Sequence, residues 1–385
     1  MKPVRRAEVL FILAFLGVIA GVPLIQLVAE LKRGERPQVF ELFQQKPTAA
    51  NLRAYEHGLE DGSLVARNVR PWVQHAQFSW FGAGGEKVII GRDGWLFYRP
   101  GVQFLTERSD ARIGNSTAGE AVKAIVSFRD QLAARGIRLL VMPVPNKESV
   151  YPEKLSRRAG ESPGVIAKDT QGILDGLRAA GVEVVDLFAL FNQCKSADNK
   201  DPIYLARDSH WSPFGVELAA KAVADCILKK AWLEAGNSEY ETKSVSVRRT
   251  GDVLRMLQVP SLERNIPADT IVCKQVVNCD SRQVYQDDPR SDVLVLGDSF
   301  LRIYETDEPG SAGFIAHLAK ELGRSLSSIV NDGGASTLVR QELCRRPGLL
   351  LGKKLVIWEF VERDIRLGTE GWQLVQLPSL ENSRQ

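Results

Sequence analysis

The sequence predicts an α/β fold, a parallel sheet flanked by helices. Helical and strand-like segments alternate from Ala118 onward, and the segments Arg138–Met142, Val293–Leu296 and Lys354–Phe360 are short apolar runs. Runs of this kind suit strands buried on both faces between helices. Their polar residues come directly after the runs, at the strand ends where α/β folds bind ligands.

The chain opens on a basic flank, Lys2, Arg5 and Arg6, followed by Val9 to Ala29 without a charge. A stretch of that length spans a bilayer as a helix, whereas a secretory leader has a shorter apolar region. No small-x-small cleavage site follows, so residues 1–30 read as an uncleaved signal-anchor kinked at Pro23. A cleaved signal peptide is the alternative. Lys32, Arg33 and Arg36 also make the far flank basic, and the free amino terminus tips the balance toward a cytoplasmic N-terminus.

Residues 31–79 are mixed and polar, with Phe40, Leu42, Phe43, Leu52, Tyr55 and Leu59 spaced as on a loose helix. They are expected to form a stalk or arm that ends at Phe78, Trp80, Phe81 and the turn Gly82–Gly85. A body over 80–385 then begins with a hairpin, Val88–Ile90 and Trp95–Tyr98, whose aromatics are core residues or, for Trp95, a sugar platform.

Within the body, helices are expected at about Ala118–Arg135, Gly164–Ala180, Phe214–Lys229 and Gly310–Leu322, and before Cys344. Val182–Leu187, Ser327–Asn331 and Trp372–Leu377 are expected to be further strands, with a polar loop around Cys194. Pro143 to Pro152 is expected to be a loop at the same kind of sheet edge, where Lys147 either meets an anionic substrate or stands in solvent. Residues 235–292 break the alternation and read as an insertion, either an acceptor-recognition lobe or a long connection.

Gly297-Asp298-Ser299 turns sharply off the apolar run, so Ser299 either presents a hydroxyl as a nucleophile or caps the next helix together with Asp298. A serine nucleophile needs a base and a carboxylate to orient it. Asp208 and His210 supply both, and two residues apart on an extended segment they would face one way. Metal ligation is the rival, but His57, His75 and His317 fall in no ligand pattern, and no metal is expected. Trp211 either shields the base from water or is plain core. Gly333 and Gly334 either offer backbone amides to an oxyanion, as the amide of Ser299 could, or form a tight turn that needs glycine dihedrals, and both readings can hold. Arg363 either braces Glu359 or faces the acyl oxygen.

Gly91-Arg-Asp-Gly-Trp-Leu-Phe97, Pro145 to Pro152, Asp208-Ser-His-Trp211, Leu296-Gly-Asp-Ser-Phe300 and Trp358-Glu359 with Glu362-Arg363 follow one another in this order. In them the chain resembles the SGNH-hydrolase-like proteins of the alginate O-acetyltransferase group, the AlgJ and AlgX type. Placing the Asp/His pair before the serine is the rearranged motif order of that group, and the absence of an appended sugar-binding domain resembles the AlgJ type. The resemblance implies acetyl transfer in the periplasm through a Ser299 ester, with His210 as base and Asp208 orienting it. It also implies an exopolysaccharide acceptor and a membrane-bound O-acyltransferase that supplies acetyl at the inner membrane. The other readings are a periplasmic serine acetylesterase and a non-catalytic polysaccharide-binding or scaffold subunit.

Composition agrees with a folded body: 44% of the 385 residues are hydrophobic. The 50 Lys and Arg nearly balance the 47 Asp and Glu, which gives no footing for nucleic acid as a partner. No cofactor is expected, because the sequence lacks both the Gly-x-x-x-x-Gly-Lys loop and a dinucleotide fingerprint. Five cysteines form no zinc pattern, and outside the cytoplasm Cys273–Cys279 and Cys194–Cys226 are the expected disulfides.

Overall fold

The computed structural model describes residues 6–43, 46, 48–107, 118–159, 164–196 and 201–378. Lys2 and Arg5 of the basic flank therefore lie outside the described residues. The chain divides into two compact units, residues 1–83 with 258–265, and residues 84–257 with 266–385.

In the first unit, helix Arg6–Lys32 contains the stretch Val9–Lys32, with a mean hydropathy of 2.5, long and apolar enough to cross a membrane. Pro23 lies inside it. Beyond it come helices Ala49–Gly62 and Leu64–Phe81, capped by Thr48 and Ser63, whose side chains accept from Asn51 and Ala66 amides. The second ends where Gly82 adopts φ 59°, the left-handed conformation that glycine enters without a Cβ penalty. Gln26 ties the long helix to these two: its amide donates to the Gly62 carbonyl at 3.1 Å and its oxygen accepts from the Leu64 amide at 2.9 Å.

The second unit holds a five-stranded sheet. Its strands in chain order are β3 (Arg138–Val144), β4 (Glu183–Val184), β7 (Val293–Gly297), β8 (Ser327–Val330) and β9 (Leu355–Val361). They lie in the order β4-β3-β9-β7-β8, every neighbouring pair parallel. The apolar runs are buried on both faces because alternate residues enter opposite cores. Val293, Val295, Leu355 and Ile357 join one cluster with helices Pro213–Lys229 and Phe314–Leu322. Leu294, Leu296, Val356 and Trp358 join the other with helices Ala118–Ala133 and Lys168–Ala179. A hairpin of β1 (Val88–Ile90) and β2 (Leu96–Tyr98) stands apart from this sheet.

Several expectations need correction. Leu187–Ser196 is a helix, because Leu187, Phe188 and Phe191 fall on one buried face that the polar residues after them obscured. The strand expected at 182–187 shrinks accordingly to β4. Helix Phe314–Leu322 starts four residues later than expected, after a glycine-rich turn. Pro143–Pro152 is strand end followed by the helical turn Lys147–Val150. Trp372–Leu377 pairs with no strand; side chains hold it instead, Gln131 bonding the Val375 carbonyl and the Leu377 amide at 3.0 and 2.7 Å.

The 235–292 segment folds as a long antiparallel ribbon, β5 (Tyr240–Arg249) against β6 (Asp269–Asn278). Its exposed face is polar, which hid the two-residue period. Both proposed disulfides are corrected. Cys273 lies within β6 and Cys279 just beyond its end, and six residues of extended chain span about 20 Å, too far for a sulfur bridge. Cys194 and Cys226 sit on separate helices with no bond between their sulfurs.

Candidate active site

Strand β7 ends at Gly297 because of what crowds it. A Cβ there would come within 2.3 Å of Glu359 Oε2 and 2.5 Å of Leu301 Cδ1, so only glycine lets the chain pass. Asp298 follows and caps the one-turn helix Ser299–Arg302, its carboxylate accepting from the Phe300 amide at 2.9 Å. Ser299 takes no part in that cap and remains half-buried with its hydroxyl available. Of the two residues that the sequence offered as helix caps, Asp298 is the one that caps.

The Ser299 hydroxyl lies 2.9 Å from His210 Nε2, and His210 Nδ1 lies 2.7 Å from Asp208 Oδ1. Residues 89 positions apart in sequence therefore meet at one sheet edge. The His210 segment is not extended as expected. It is a tight bend in which Asp208 Oδ1 also accepts the His210 amide at 3.1 Å, and this local bond puts carboxylate and imidazole on one side. Phe300 packs on the imidazole at 4.9 Å between ring centroids.

Burial opposes charge on both groups, and their contact outweighs it. Burial alone would raise Asp208, yet the His210 hydrogen bond and the His210 and Arg249 charges hold its carboxyl well below the usual range. Burial alone would lower His210, but the Asp208 bond and charge raise it above the ordinary imidazole value.

Two residues that the sequence did not single out complete this arrangement, both from the insertion. Arg249 Nε donates to Asp208 Oδ2 at 2.8 Å. Asp252 accepts from the Ser209 amide and hydroxyl at 2.6 Å each, with an oxygen 3.6 Å from His210 Nδ1. The available signals were the alternation Ser244-Val245-Ser246-Val247 and the helix-start pattern Thr250-Gly251-Asp252.

Asp208, His210 and Asp252 each present a ligand-type atom, all within 4.8 Å of one another. The set is nonetheless spent on hydrogen bonds. His210 Nδ1 faces Asp208 Oδ1 at hydrogen-bond distance, while Asp208 Oδ2 takes Arg249 and the Asp252 amide at 3.2 Å. A guanidinium already neutralises the carboxylate a cation would need.

The remaining candidates fall in different places. Lys147 is buried and does not face a substrate: its ammonium donates to the carbonyls of Leu96, Leu205 (3.1 Å), Ala206 (3.2 Å) and Asp208 (2.7 Å). Burial lowers it to about 8. Trp211 is core; its indole donates to the Phe300 carbonyl at 3.1 Å and its ring meets Phe300 edge-on, so Phe300 is the aromatic that lies against the His210 imidazole.

Gly333 and Gly334 spend their amides on Asn331, at 2.9 Å to its side chain and 3.1 Å to its carbonyl, so neither is left for an oxyanion. Arg363 forms no ion pair with Glu359. Its guanidinium lies over Tyr98 and Phe300, 5.3 and 5.9 Å from their ring centroids, with no hydrogen-bond or ion-pair partner among the described residues. Glu359 instead accepts the Asp298 amide at 3.0 Å, fixing the turn before Ser299. Asn146, beyond the end of β3, is buried with both side-chain amide atoms unpartnered.

A parallel sheet between helices, with serine, histidine and aspartate meeting at its carboxyl edge, defines an SGNH-hydrolase-like protein. Residues 88–362 match the family described as SGNH hydrolase-like domain, acetyltransferase AlgX, and the chain belongs to that family. The protein named probable alginate O-acetylase AlgJ of Pseudomonas putida is 25% identical over 99% of this chain and 96% of its own. The alginate biosynthesis protein AlgX of Pseudomonas aeruginosa is 23% identical over 71% of this chain and 55% of its own. The fold is shared with the solved O-acetyltransferase domain of Pseudomonas putida AlgJ, at TM-score 0.59 and 24% identity over 73% of this chain and 93% of that one. It is likewise shared with Pseudomonas aeruginosa AlgX, at TM-score 0.53 and 21% identity over 71% and 61%.

Proposed function

We propose that the chain is an O-acetyltransferase that carries acetyl on Ser299 and passes it to a hydroxyl of an exopolysaccharide in the periplasm. The observation that carries this reading is the 2.9 Å approach of His210 Nε2 to the Ser299 hydroxyl, with Asp208 behind the imidazole. His210 takes the Ser299 proton as Oγ attacks the acetyl carbonyl carbon, then gives it to the departing group of the donor. In the second half the acceptor hydroxyl gives its proton to His210 and attacks the ester, and Ser299 Oγ leaves and recovers that proton.

Charge on the carbonyl oxygen needs donors at the same edge. The Phe300 amide is taken by Asp298, while the Ser299 amide, at the first position of its helix, is not used by the helix itself. The unpartnered Asn146 side chain and the Arg363 guanidinium, both at carboxyl ends of neighbouring strands, are the other candidate donors. The names of the Pseudomonas relatives support acetyl as the group and an alginate-type polymer as the acceptor class. A membrane-bound acyltransferase supplies acetyl in this reading, and the apolar N-terminal helix holds the catalytic body at the inner membrane.

Incubating the protein with an acetyl ester and measuring its intact mass tests the covalent step. One acetyl is expected on the wild type and none on Ser299→Ala. Adding an oligosaccharide acceptor must then yield acetyl-sugar. Free acetate at an unchanged rate marks an esterase, and polymer acetylation that persists with Ser299→Ala in cells marks a non-catalytic scaffold.

A further inference from the structure

The insertion contributes more to the site than a cover. Its ribbon delivers the turn Arg249-Thr250-Gly251-Asp252 against the His210 bend, and Gly251 is what permits the approach. A Cβ at Gly251 would fall 1.9 Å from the Arg207 carbonyl oxygen, so the two backbones touch at a point where any side chain is excluded. The Leu254 amide bonds that same carbonyl at 3.3 Å, and Arg207 pairs with Asp269 on the facing strand of the ribbon. The turn is thus fastened to the bend at Arg207, just ahead of His210.

We propose that Arg249 and Asp252 are positioning residues that set the protonation of the base. Arg249 clamps the outer oxygen of Asp208, and Asp252 holds a second carboxylate beside His210 Nδ1, so two opposite charges supplied by the insertion act on one imidazole. The inference deepens the acyl-transfer reading and rests on it only for its kinetic consequence.

The two charges act with opposite sign. Asp252 favours the imidazolium, and Arg249 disfavours it while also keeping Asp208 ionised. The other groups facing His210 are Asp208 and Ser209 on its own bend and Asp298 and Ser299 at the end of β7; Phe300 contributes only its ring. Behind Arg249 stand Asp307, 3.7 Å from a guanidinium nitrogen, and the Tyr304 ring at 5.7 Å. None of these comes from the insertion; Arg249 also holds Asp208 low, and burial with the Asp208 charge pushes Asp252 up, so each exchange is read as its net effect on the imidazole.

The test is the titration of the His210 ring by NMR in the full chain, alongside the pH profile of acetyl-ester turnover. Arg249→Gln is expected to move the His210 midpoint to higher pH and to lower kcat roughly 10- to 100-fold, as expected for a base held off its productive geometry. Asp252→Asn is expected to move the midpoint to lower pH. Arg249→Lys keeps the charge and is expected to restore the midpoint while recovering only part of kcat, since an ammonium lacks the planar fork.

Midpoints that stay put in both variants, or that move in the same direction, overturn the proposal, because a purely structural role predicts no opposed shifts. If Arg249→Gln fails to fold, Asp252→Asn and Arg249→Lys decide. A folded protein that shows the opposed shifts but transfers no acyl group would remove the transferase reading and leave this one standing.

Discussion

Lys147 donates to the backbone carbonyl of Asp208 at 2.7 Å, deep in the body, while bonding three further carbonyls on β2 and the adjoining bend. One buried ammonium thus ties the start of β2 to the segment that carries His210. Lys147→Met leaves the Leu96, Leu205 and Asp208 carbonyls without their donor, while the Ala206 carbonyl keeps the Leu96 amide at 2.9 Å, and each orphaned group costs about 1 kcal/mol or more. A loss of roughly 3 kcal/mol in denaturant unfolding is expected, with activity falling alongside as the Asp208 bend loosens.

In the proposed mechanism His210 must be neutral to accept the Ser299 proton, so it governs the acid side of the activity. Its folded value is raised above the ordinary 6.5, so kcat/KM is expected to rise with pH through a midpoint above that value. The same shift bears on stability. A raised His210 stabilises the fold fully below 6.5, and this contribution is lost as pH rises through the folded value. Asp208, held low, contributes above the ordinary 3.8 and loses that contribution as pH falls through its folded value. His210→Gln is therefore expected to lower the thermal midpoint more at pH 5.5 than at pH 9.

Gly297→Ala places a methyl group against Glu359 Oε2 and Leu301, at 2.3 and 2.5 Å before any shift. Overpacking of this kind costs about 1–3 kcal/mol. Glu359 also bonds the Asp298 amide, so relief of the clash displaces the turn that presents Ser299. Acyl-enzyme formation is expected to fall further than the loss of stability alone would account for, which comparison of the adduct yield with the folded fraction checks.

Cys273 and Cys279 are expected to titrate as thiols in protein unfolded without reductant. Adding dithiothreitol to the folded protein is expected to leave the thermal midpoint unchanged as far as this pair is concerned, since no bridge joins the strand to the turn beyond it. Thiol counting under denaturing conditions, with and without reductant, is the measurement.

The sequence determined the elements whose signal is local. Buried parallel strands announce themselves as apolar runs, and β3, β7 and β9 lie where those runs are. Ser299 directly after β7, and Asp208 with His210 ahead of a helix begun by Ser212-Pro213, were legible for the same reason. What escaped was set by partners distant along the chain. Lys147 reads as a loop lysine until four carbonyls from other segments surround it, and the Gly333 and Gly334 amides read as available until Asn331 takes them.

Only the tertiary structure decided that the polar ribbon brings Arg249 and Asp252 to the base, because a half-exposed strand pair shows too little apolar pattern to reveal where its turn will dock. The strand order decided the site as well. Placing β9 between β3 and β7 brings Glu359 beneath the Ser299 turn, a contact fixed by lateral hydrogen bonding between strands, of which a linear sequence carries no local trace.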